Sequence, residues 1–225
     1  MNHPGQVPDA IFSAVLSAEE RSRTARFIRP KDRERFVQAH GMLRSILGSY
    51  LGRRPEDIAY QNNAYGKPSL AGPAVAEFVR FNMAHSMDMV LVAVSRSHEV
   101  GVDVEFRHPM ADLQSFIQRN FSSAERRFFA TLPAQRLESE FFVHWTLKEA
   151  YIKGIGLGLT CPLQSFSVEP DRSRPGSGMF YAVVPDNGPQ WQCQLLPLAE
   201  GYVGAVAAPS ISSDAKLYNY QPVAA

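Results

Sequence analysis

Apolar positions recur at helical spacing in some parts of the chain and alternate as in strands in others. In the first half, Ser17 and Glu20 form a capping-box pattern that predicts a helix running toward Phe27. A second helix is predicted from Pro30 to Gly52, because proline favours the first helical position and glycine ends a helix. Glycine, proline and asparagine separate shorter extended segments, which predict strands over residues 58–61, 77–82 and 89–95.

The second half begins with a strand and then turns helical. Residues 100–106 alternate strictly, so Val102 and Val104 share one face of the predicted strand while Asp103 and Glu105 share the other. Helices are predicted around 112–119, after a capping box at 122–125, and over 136–153 up to Gly154, Gly156 and Gly158. Strands are predicted near residues 164–168, 179–184, 190–196 and 202–207.

Both halves therefore predict helices packed on a small antiparallel sheet, which is an α+β fold. At 225 residues the chain is long enough for one large domain or two small ones. The junction between the halves falls near residues 98–100, and we predict two subdomains of residues 1–99 and 100–225.

The charge balance excludes a strong global field. The 23 Lys and Arg residues are nearly balanced by 22 Asp and Glu residues, so we expect no binding to nucleic acid and none to a membrane. The longest early apolar run, residues 11–16, is too short for a signal peptide, and no run approaches a membrane span. Cys161 and Cys193 lack metal-ligand spacing and indicate neither a zinc site nor a disulfide scaffold. We therefore expect a cytoplasmic protein.

Three carboxylates are the strongest candidates for chemistry. Asp103 and Glu105 share a strand face, and Glu149 lies on a separate predicted helix between Lys148 and Lys153. Two carboxylates ~4 Å apart repel by ~4 kcal/mol at an effective dielectric constant of ~20, so a cation must hold them if they converge. Oxygen ligands select magnesium, manganese or calcium. The alternative is a solvated strand face and an ordinary surface ion pair worth ~0.3 to 0.5 kcal/mol.

Two segments carry a resemblance to a known family. The strand Gly101–Glu105 (GVDVE) and the helix Trp145–Leu159 (WTLKEAYIKGIGLGL) occur in the order and separation of two signatures of 4'-phosphopantetheinyl transferases. Three further segments resemble family motifs: Tyr65–Pro68, Phe81–Ser86 and Phe121–Glu125. The chain is similar in length to the monomeric members of the surfactin-synthetase-activating (Sfp) type. The resemblance implies two pseudo-symmetric subdomains with coenzyme A bound between them, the adenine and 3'-phosphate on the side of residues 1–99.

The resemblance also implies roles for the carboxylates and their neighbours. Asp103, Glu105 and Glu149 would ligate Mg²⁺, or Mn²⁺, together with the coenzyme A pyrophosphate, and Glu125 is a weaker candidate that would reach the metal through water. A base must take the proton of the attacking serine, and we choose Glu149 for it, acting directly or through a metal-bound water. Lys153 would stabilise the phosphate or protonate the leaving group.

The remaining coenzyme contacts follow from the same motifs. His85 would contact a pyrophosphate oxygen, and the Gly66-Lys67-Pro68 backbone would hold adenine. Arg23 and Arg35 would hold the 3'-phosphate, and Lys148 and Lys153 would neutralise developing phosphate charge. Taken singly, Gly66-Lys67-Pro68 is also an ordinary turn, and the arginines and Lys148 are also ordinary solvated charges. Ala84 and Glu20 depart from the family pattern, in which a serine and a basic residue are expected.

The implied reaction transfers 4'-phosphopantetheine from coenzyme A to a serine of an apo acyl or peptidyl carrier protein and releases 3',5'-ADP. The residues alone leave two other classes open: a metal-dependent nucleotide pyrophosphatase and a non-catalytic coenzyme A-binding protein. For the carrier we predict docking on residues 110–127, because this stretch combines apolar and basic side chains at helical spacing. Those side chains are Leu113, Phe116, Ile117, Phe121, Arg119, Arg126 and Arg127.

Overall fold

The computed structural model describes six ranges of the chain: residues 9–72, 78–96, 98–173, 179–186, 189–211 and 215–220. It combines helices with small antiparallel sheets, which confirms the predicted α+β class. Two compact units are present. Of the described residues, the first contains 9–61, 70–72 and 218–220, and the second contains 62–69 and those between 78 and 217.

The first unit consists mainly of three helices, α1 (Asp9–Val15), α2 (Ala18–Thr24) and α3 (Pro30–Leu51). Ser17 and Glu20 form the predicted capping box at the start of α2. Gly52 ends α3 in the left-handed conformation, with φ of 61°. Helix α1 was not predicted, but its apolar side packs against α3 in a small cluster of Phe12, Leu16 and Val37.

Two short strands, β1 (Tyr60–Asn62) and β2 (Pro68–Leu70), pair as a hairpin. The next hairpin is formed by β3 (Arg80–Ser86) and β4 (Met89–Ser95). It confirms the strand predicted over 89–95 and places β3 where a strand was predicted over 77–82, of which residue 77 lies outside the described residues. Five further strands form one antiparallel sheet in the order β5-β9-β8-β7-β6. They are β5 (Gly101–Phe106), β6 (Phe166–Pro170), β7 (Phe180–Pro185), β8 (Trp191–Leu196) and β9 (Tyr202–Ala208).

Three helices separate β5 from β6: α4 (Leu113–Asn120), α5 (Ser123–Ala130) and α6 (Ala134–Ile155). The long helix α6 packs on the five-stranded sheet, and Leu147, Ala150 and Tyr151 contribute to the buried cluster beneath it. Helix and strand approach each other closely at Gly101, where an added Cβ atom would lie 1.9 Å from the carbonyl oxygen of Ala150. The sequence therefore needs glycine at this position for α6 to lie against β5.

The grouping of strands differs from the predicted division. Strands β3 and β4 belong to the second unit, since β3 packs beside β5. The division into residues 1–99 and 100–225, and the pseudo-symmetry of the two subdomains, stay predictions. Among the described helices, none carries an apolar stretch that could cross a lipid bilayer.

Candidate active site

The facing surfaces of β5 and α6 carry a cluster of charged side chains. Asp103 is almost completely buried, with 3% of its surface exposed. The Nζ atom of Lys153 donates to its Oδ1 atom at 2.6 Å. The Oδ2 atom of Asp103 is buried and has no hydrogen-bond partner among the described residues. Lys153 on α6 therefore neutralises Asp103 at Oδ1, whereas no described group donates a hydrogen bond to Oδ2.

The predicted carboxylates influence one another electrostatically. Burial raises the pKa of Asp103 to about 7; the ammonium group of Lys153 opposes this rise, while Glu105 and Glu149 add to it. Burial also raises the pKa of Glu149, where Lys153 again opposes the rise and Glu105 adds to it. The strand pair and the helix residue thus form one cluster in which like charges repel.

Two side chains hold the carboxylate of Glu105. The indole Nε1 of Trp145 donates to its Oε1 atom at 3.2 Å, and the hydroxyl of Ser86 donates to its Oε2 atom at 3.3 Å. Trp145 lies one helical turn before Glu149 on α6, so the same helix positions both carboxylates. The indole of Trp145 also packs edge-to-face against Phe116 and stacks with Phe141.

Strand β3 supports the free edge of β5 through side chains. The Oδ1 atom of buried Asn82 accepts a hydrogen bond from the backbone N–H of Val102 at 2.9 Å. The hydroxyl oxygen of Ser86 accepts a hydrogen bond from the backbone N–H of Phe106 at 3.0 Å. Sequence reasoning assigned no role to Asn82 or Ser86. The available signal was their place in the Phe81–Ser86 motif, where they lie four residues apart and so share one strand face.

The donor set fits a hard divalent cation. It consists of carboxylate oxygens, one of them buried without a partner, and oxygen ligands are those that Mg²⁺ and Mn²⁺ prefer. Within the part of the chain that the structure describes, no group of three acidic, histidine or cysteine side chains is arranged to hold a metal as it stands. Lys153 provides the positive charge that contacts Asp103.

Comparison with known proteins places the chain in a family. A family model described as the 4'-phosphopantetheinyl transferase superfamily matches residues 99–207, and another, described as 4'-phosphopantetheinyl transferase, N-terminal, matches residues 6–97. The 4'-phosphopantetheinyl transferase HetI of Nostoc sp. is 32% identical over 209 residues, which cover 93% of this chain and 85% of HetI. The chain belongs to the 4'-phosphopantetheinyl transferase family.

Further relatives agree with this assignment. The putative 4'-phosphopantetheinyl transferase slr0495 of Synechocystis sp. is 30% identical over 83% of this chain and 74% of its own length. The 4'-phosphopantetheinyl transferase Sfp of Bacillus subtilis is 28% identical over 93% of this chain and 90% of its own length. The predicted family and the predicted class of enzyme, a transferase, are confirmed.

Two residues of this transferase lie away from the carboxylate cluster. Lys148 has no exposed surface, and its Nζ atom donates to both carboxylate oxygens of Glu125 and to the carbonyl of Phe166 at 2.7 Å. Glu125 is 2% exposed, forms the capping box of α5 with Ser122 and also accepts from the backbone of Val168. This pair joins α5, α6 and β6, and its geometry indicates a structural role rather than contact with phosphate or metal.

The other predicted coenzyme ligands of the second unit lie on β2, β3 and the loop before β2. Gly66 has φ of 88° and donates its N–H to the carbonyl of Asn63 at 3.1 Å in a tight turn. Pro68 begins β2. His85 is exposed on β3, on the strand face opposite to Asn82 and Ser86. The side chain of Lys67 contacts the end of α6, as described below.

The predicted 3'-phosphate ligands belong to the first unit. Arg23 is exposed on α2, and its guanidinium group lies 5.1 Å from the ring centre of Phe36 on α3. Arg35 is half-buried on α3. Glu20, one of the departures from the family pattern, is buried and accepts from Arg44 at 2.5 Å and from His40 at 3.1 Å. An acidic residue at position 20 is therefore explained by the buried Arg44, whose charge Glu20 neutralises.

The segment predicted to bind the carrier forms α4 and α5. Ile117 and Phe121 are core residues, with half-buried Leu113 and Phe116 packed against them, so most of the proposed apolar anchors stabilise the fold. Arg119 and Arg127 are exposed. A cavity of about 370 Å³ nevertheless lies beside these helices, with Ile117, Phe129 and Leu137 contributing apolar surface and Gln114, Gln118 and Arg126 contributing polar surface.

Proposed function

We infer that the cluster of Asp103, Glu105, Glu149 and Lys153 is the catalytic centre of this transferase. The chain transfers 4'-phosphopantetheine from coenzyme A to a serine hydroxyl of a carrier protein. A bond forms between the serine oxygen and the β-phosphorus, the pyrophosphate P–O bond breaks, and 3',5'-ADP leaves. The observation that carries the assignment is the buried Asp103, because a carboxylate with an unpartnered oxygen is costly to the fold and implies a ligand.

We propose Asp103, Glu105 and Glu149 as the ligands of a divalent cation, Mg²⁺ or Mn²⁺. When bound, such a cation neutralises pyrophosphate charge. Trp145 and Ser86 orient Glu105 for this role, since each holds one of its two oxygens. The prediction rests on the donor chemistry and on the mutual repulsion of the three carboxylates.

Glu149 and Lys153 are suited to moving protons. Burial raises the pKa of Glu149, so its carboxylate is a better proton acceptor for a serine hydroxyl than an exposed glutamate is. Lys153 lies one turn further along α6, and its ammonium group is available to a phosphate oxygen or a leaving group on release from Asp103. The helix therefore presents a base and an acid side by side.

The remaining proposals concern coenzyme A. We propose that exposed His85 contacts the pyrophosphate, that the backbone of Gly66, Lys67 and Pro68 contacts adenine, and that the 3'-phosphate binds Arg23 and Arg35. Gly66 supports the second of these, because its φ of 88° favours glycine and no atom lies within 4 Å of the position that a Cβ atom would occupy. Lys148 is not retained as a coenzyme ligand, since its ammonium group is enclosed by Glu125 and Phe166.

We further propose that the transferase acts as a cytoplasmic monomer on apo acyl or peptidyl carrier proteins. The two family models match residues 6–97 and 99–207, so one chain carries the regions that both models describe. This supports a monomer. The even balance of charges supports the absence of a membrane or nucleic acid partner.

The test is to incubate the protein with coenzyme A, magnesium and a panel of apo carrier proteins and to weigh the products as intact proteins. We expect one carrier to gain the mass of one phosphopantetheine group at a serine. Consumption of coenzyme A without a carrier would indicate a pyrophosphatase instead. Binding of coenzyme A without turnover on any carrier would indicate a non-catalytic protein.

A further inference from the structure

The loop of residues 63–67 rests on the C-terminal end of the helix that carries Glu149 and Lys153. The Nζ atom of Lys67 donates to the carbonyl of Gly154 at 2.6 Å. The Nδ2 atom of Asn63 donates to the carbonyl of Gly156 at 2.8 Å. We call these two hydrogen bonds the helix-end contact.

The loop is itself held in one shape by Asn63. The Oδ1 atom of Asn63 accepts from the backbone N–H groups of Tyr65 and Lys67, both at 2.9 Å, and its backbone N–H donates to the carbonyl of Lys67 at 3.0 Å. Asn63 therefore uses one end of its amide to close the loop and the other end to bind α6. Because the loop is held in one conformation, its hydrogen bonds to α6 restrain the position of the helix end.

The end of α6 is the place where a cation stabilises a helix most. The last carbonyl groups of a helix have no intrahelical partner and carry the negative end of the helix dipole. Lys67 supplies both a donor and a positive charge there, with 14% of its side chain exposed. Its ammonium group also pairs with Glu99 at 2.6 Å, and Glu99 pairs with Arg80 at 2.8 Å.

The residue after α6 is matched to this contact. Gly156 has φ of 71°, a conformation that favours glycine, and it closes the helix by donating to the carbonyl of Ile152. An added Cβ atom would lie 2.9 Å from Cδ of Lys67 and 3.0 Å from Nδ2 of Asn63. Glycine at position 156 thus lets the loop approach the helix. This steric fit is a second observation, separate from the two hydrogen bonds, that links the loop to the end of α6.

We propose that Lys67 and Asn63 are positioning residues that fix the last turn of α6 for phosphopantetheine transfer. Gly154 directly follows Lys153, so a hydrogen bond to its carbonyl restrains the backbone next to the ammonium group that contacts Asp103. The side chain of Lys67 then acts through the helix, while its backbone is the part proposed to meet adenine. This inference rests on the proposed function of the carboxylate cluster.

Steady-state kinetics of three variants test the proposal. Lys67→Met keeps the aliphatic stem and removes the ammonium group, and we expect kcat to fall about tenfold while KM for coenzyme A changes less than about threefold. Lys67→Arg restores a charged donor and is expected to recover most of kcat. The matched control is Arg80→Gln, which removes the other partner of Glu99 and has no hydrogen bond to α6 among those described; its kcat should equal that of the wild type.

Two kinetic outcomes would overturn the proposal. A rise in KM for coenzyme A with unchanged kcat in Lys67→Met would make Lys67 a coenzyme ligand. An equal loss of kcat in Arg80→Gln would assign the effect to the ion-pair network as a whole.

Amide hydrogen exchange of the protein without substrate separates this inference from the proposed function. We expect Lys67→Met to increase exchange in peptides that cover residues 150–157, and Arg80→Gln to leave it unchanged. Unchanged exchange in Lys67→Met would overturn the positioning role even if the wild-type protein modifies a carrier. Increased exchange together with a wild-type protein that modifies no carrier would uphold the helix-end contact and overturn the proposed function.

Discussion

Asp103 combines deep burial with an oxygen that no described group satisfies. Asparagine has nearly the same shape but no charge, so Asp103→Asn removes a cost to the fold together with a proposed metal ligand. We expect transfer to fall by at least about a hundredfold, because the variant loses one of the proposed ligands of the divalent cation. The midpoint of thermal unfolding should not fall, and Lys153, which is one third exposed, remains hydrated.

The control for this variant is Glu56→Gln, which removes an exposed carboxylate of the first unit. It should change neither transfer nor thermal unfolding. Transfer by Asp103→Asn at the wild-type rate under limiting magnesium would exclude Asp103 from the catalytic centre.

Glu20 links the stability of the protein to pH. Burial raises the pKa of its carboxyl group, but hydrogen bonds from His40, the Ser17 backbone and Arg44 outweigh burial and lower the pKa to about 2. Because this value lies below the ordinary 4.5, the contribution of Glu20 is complete above about pH 5 and is lost as pH falls toward 2. The contribution amounts to at most about 3 kcal/mol.

Urea unfolding at pH 7 and pH 3 measures this contribution. Glu20→Gln should be less stable than the wild type at pH 7, and the difference between the two should shrink at pH 3. A difference that is equal at both pH values would show that the carboxylate charge of Glu20 does not stabilise the fold.

Among the strands, β5 receives a side-chain acceptor from β3, the Oδ1 atom of Asn82. Asn82→Ala leaves the buried N–H of Val102 without the Oδ1 acceptor, so we expect the free energy of unfolding to fall by about 1–3 kcal/mol. The control is Asn62→Ala, which alters an exposed residue of β1 and should change the free energy of unfolding by less than ~0.5 kcal/mol. Equal losses in the two variants, measured by urea denaturation, would contradict the bracing role of Asn82.

For the molecule as a whole, a net charge of +1 provides no long-range attraction, so recognition of an acidic carrier must depend on local charges. Arg119 is exposed, and Arg126 lines the cavity beside α4 and α5. Reversing both charges in Arg119→Glu/Arg126→Glu should raise KM for the carrier several-fold and flatten its salt dependence, while KM for coenzyme A stays unchanged.

A variant with the same change of net charge elsewhere serves as the control. Arg53→Glu/Arg54→Glu alters two exposed residues of the first unit and should leave carrier kinetics unchanged. If the Arg119/Arg126 variant keeps wild-type carrier kinetics at low salt, the carrier binds elsewhere and α4 and α5 are only scaffold.

The elements could be predicted wherever their signals are local. The capping boxes at Ser17 and Ser122, the glycine after α3 and the alternation along β5 each involve residues a few positions apart, and the structure confirms all of them. Helix α1 and strand β2 were missed because seven and three residues are too short to show a period.

The sequence by itself determined the family, the α+β class and the carboxylates that share a face of β5, since motifs and alternation are properties of neighbouring residues. The tertiary structure decided which charges meet. Lys148 resembles an exposed helix lysine but is buried against Glu125, and Lys67 resembles a turn residue but binds the carbonyl of Gly154. Those partners lie 23 and 87 positions away along the chain. Residues so far apart in sequence meet only when the chain packs, and a pattern of neighbouring residues does not predict such contacts.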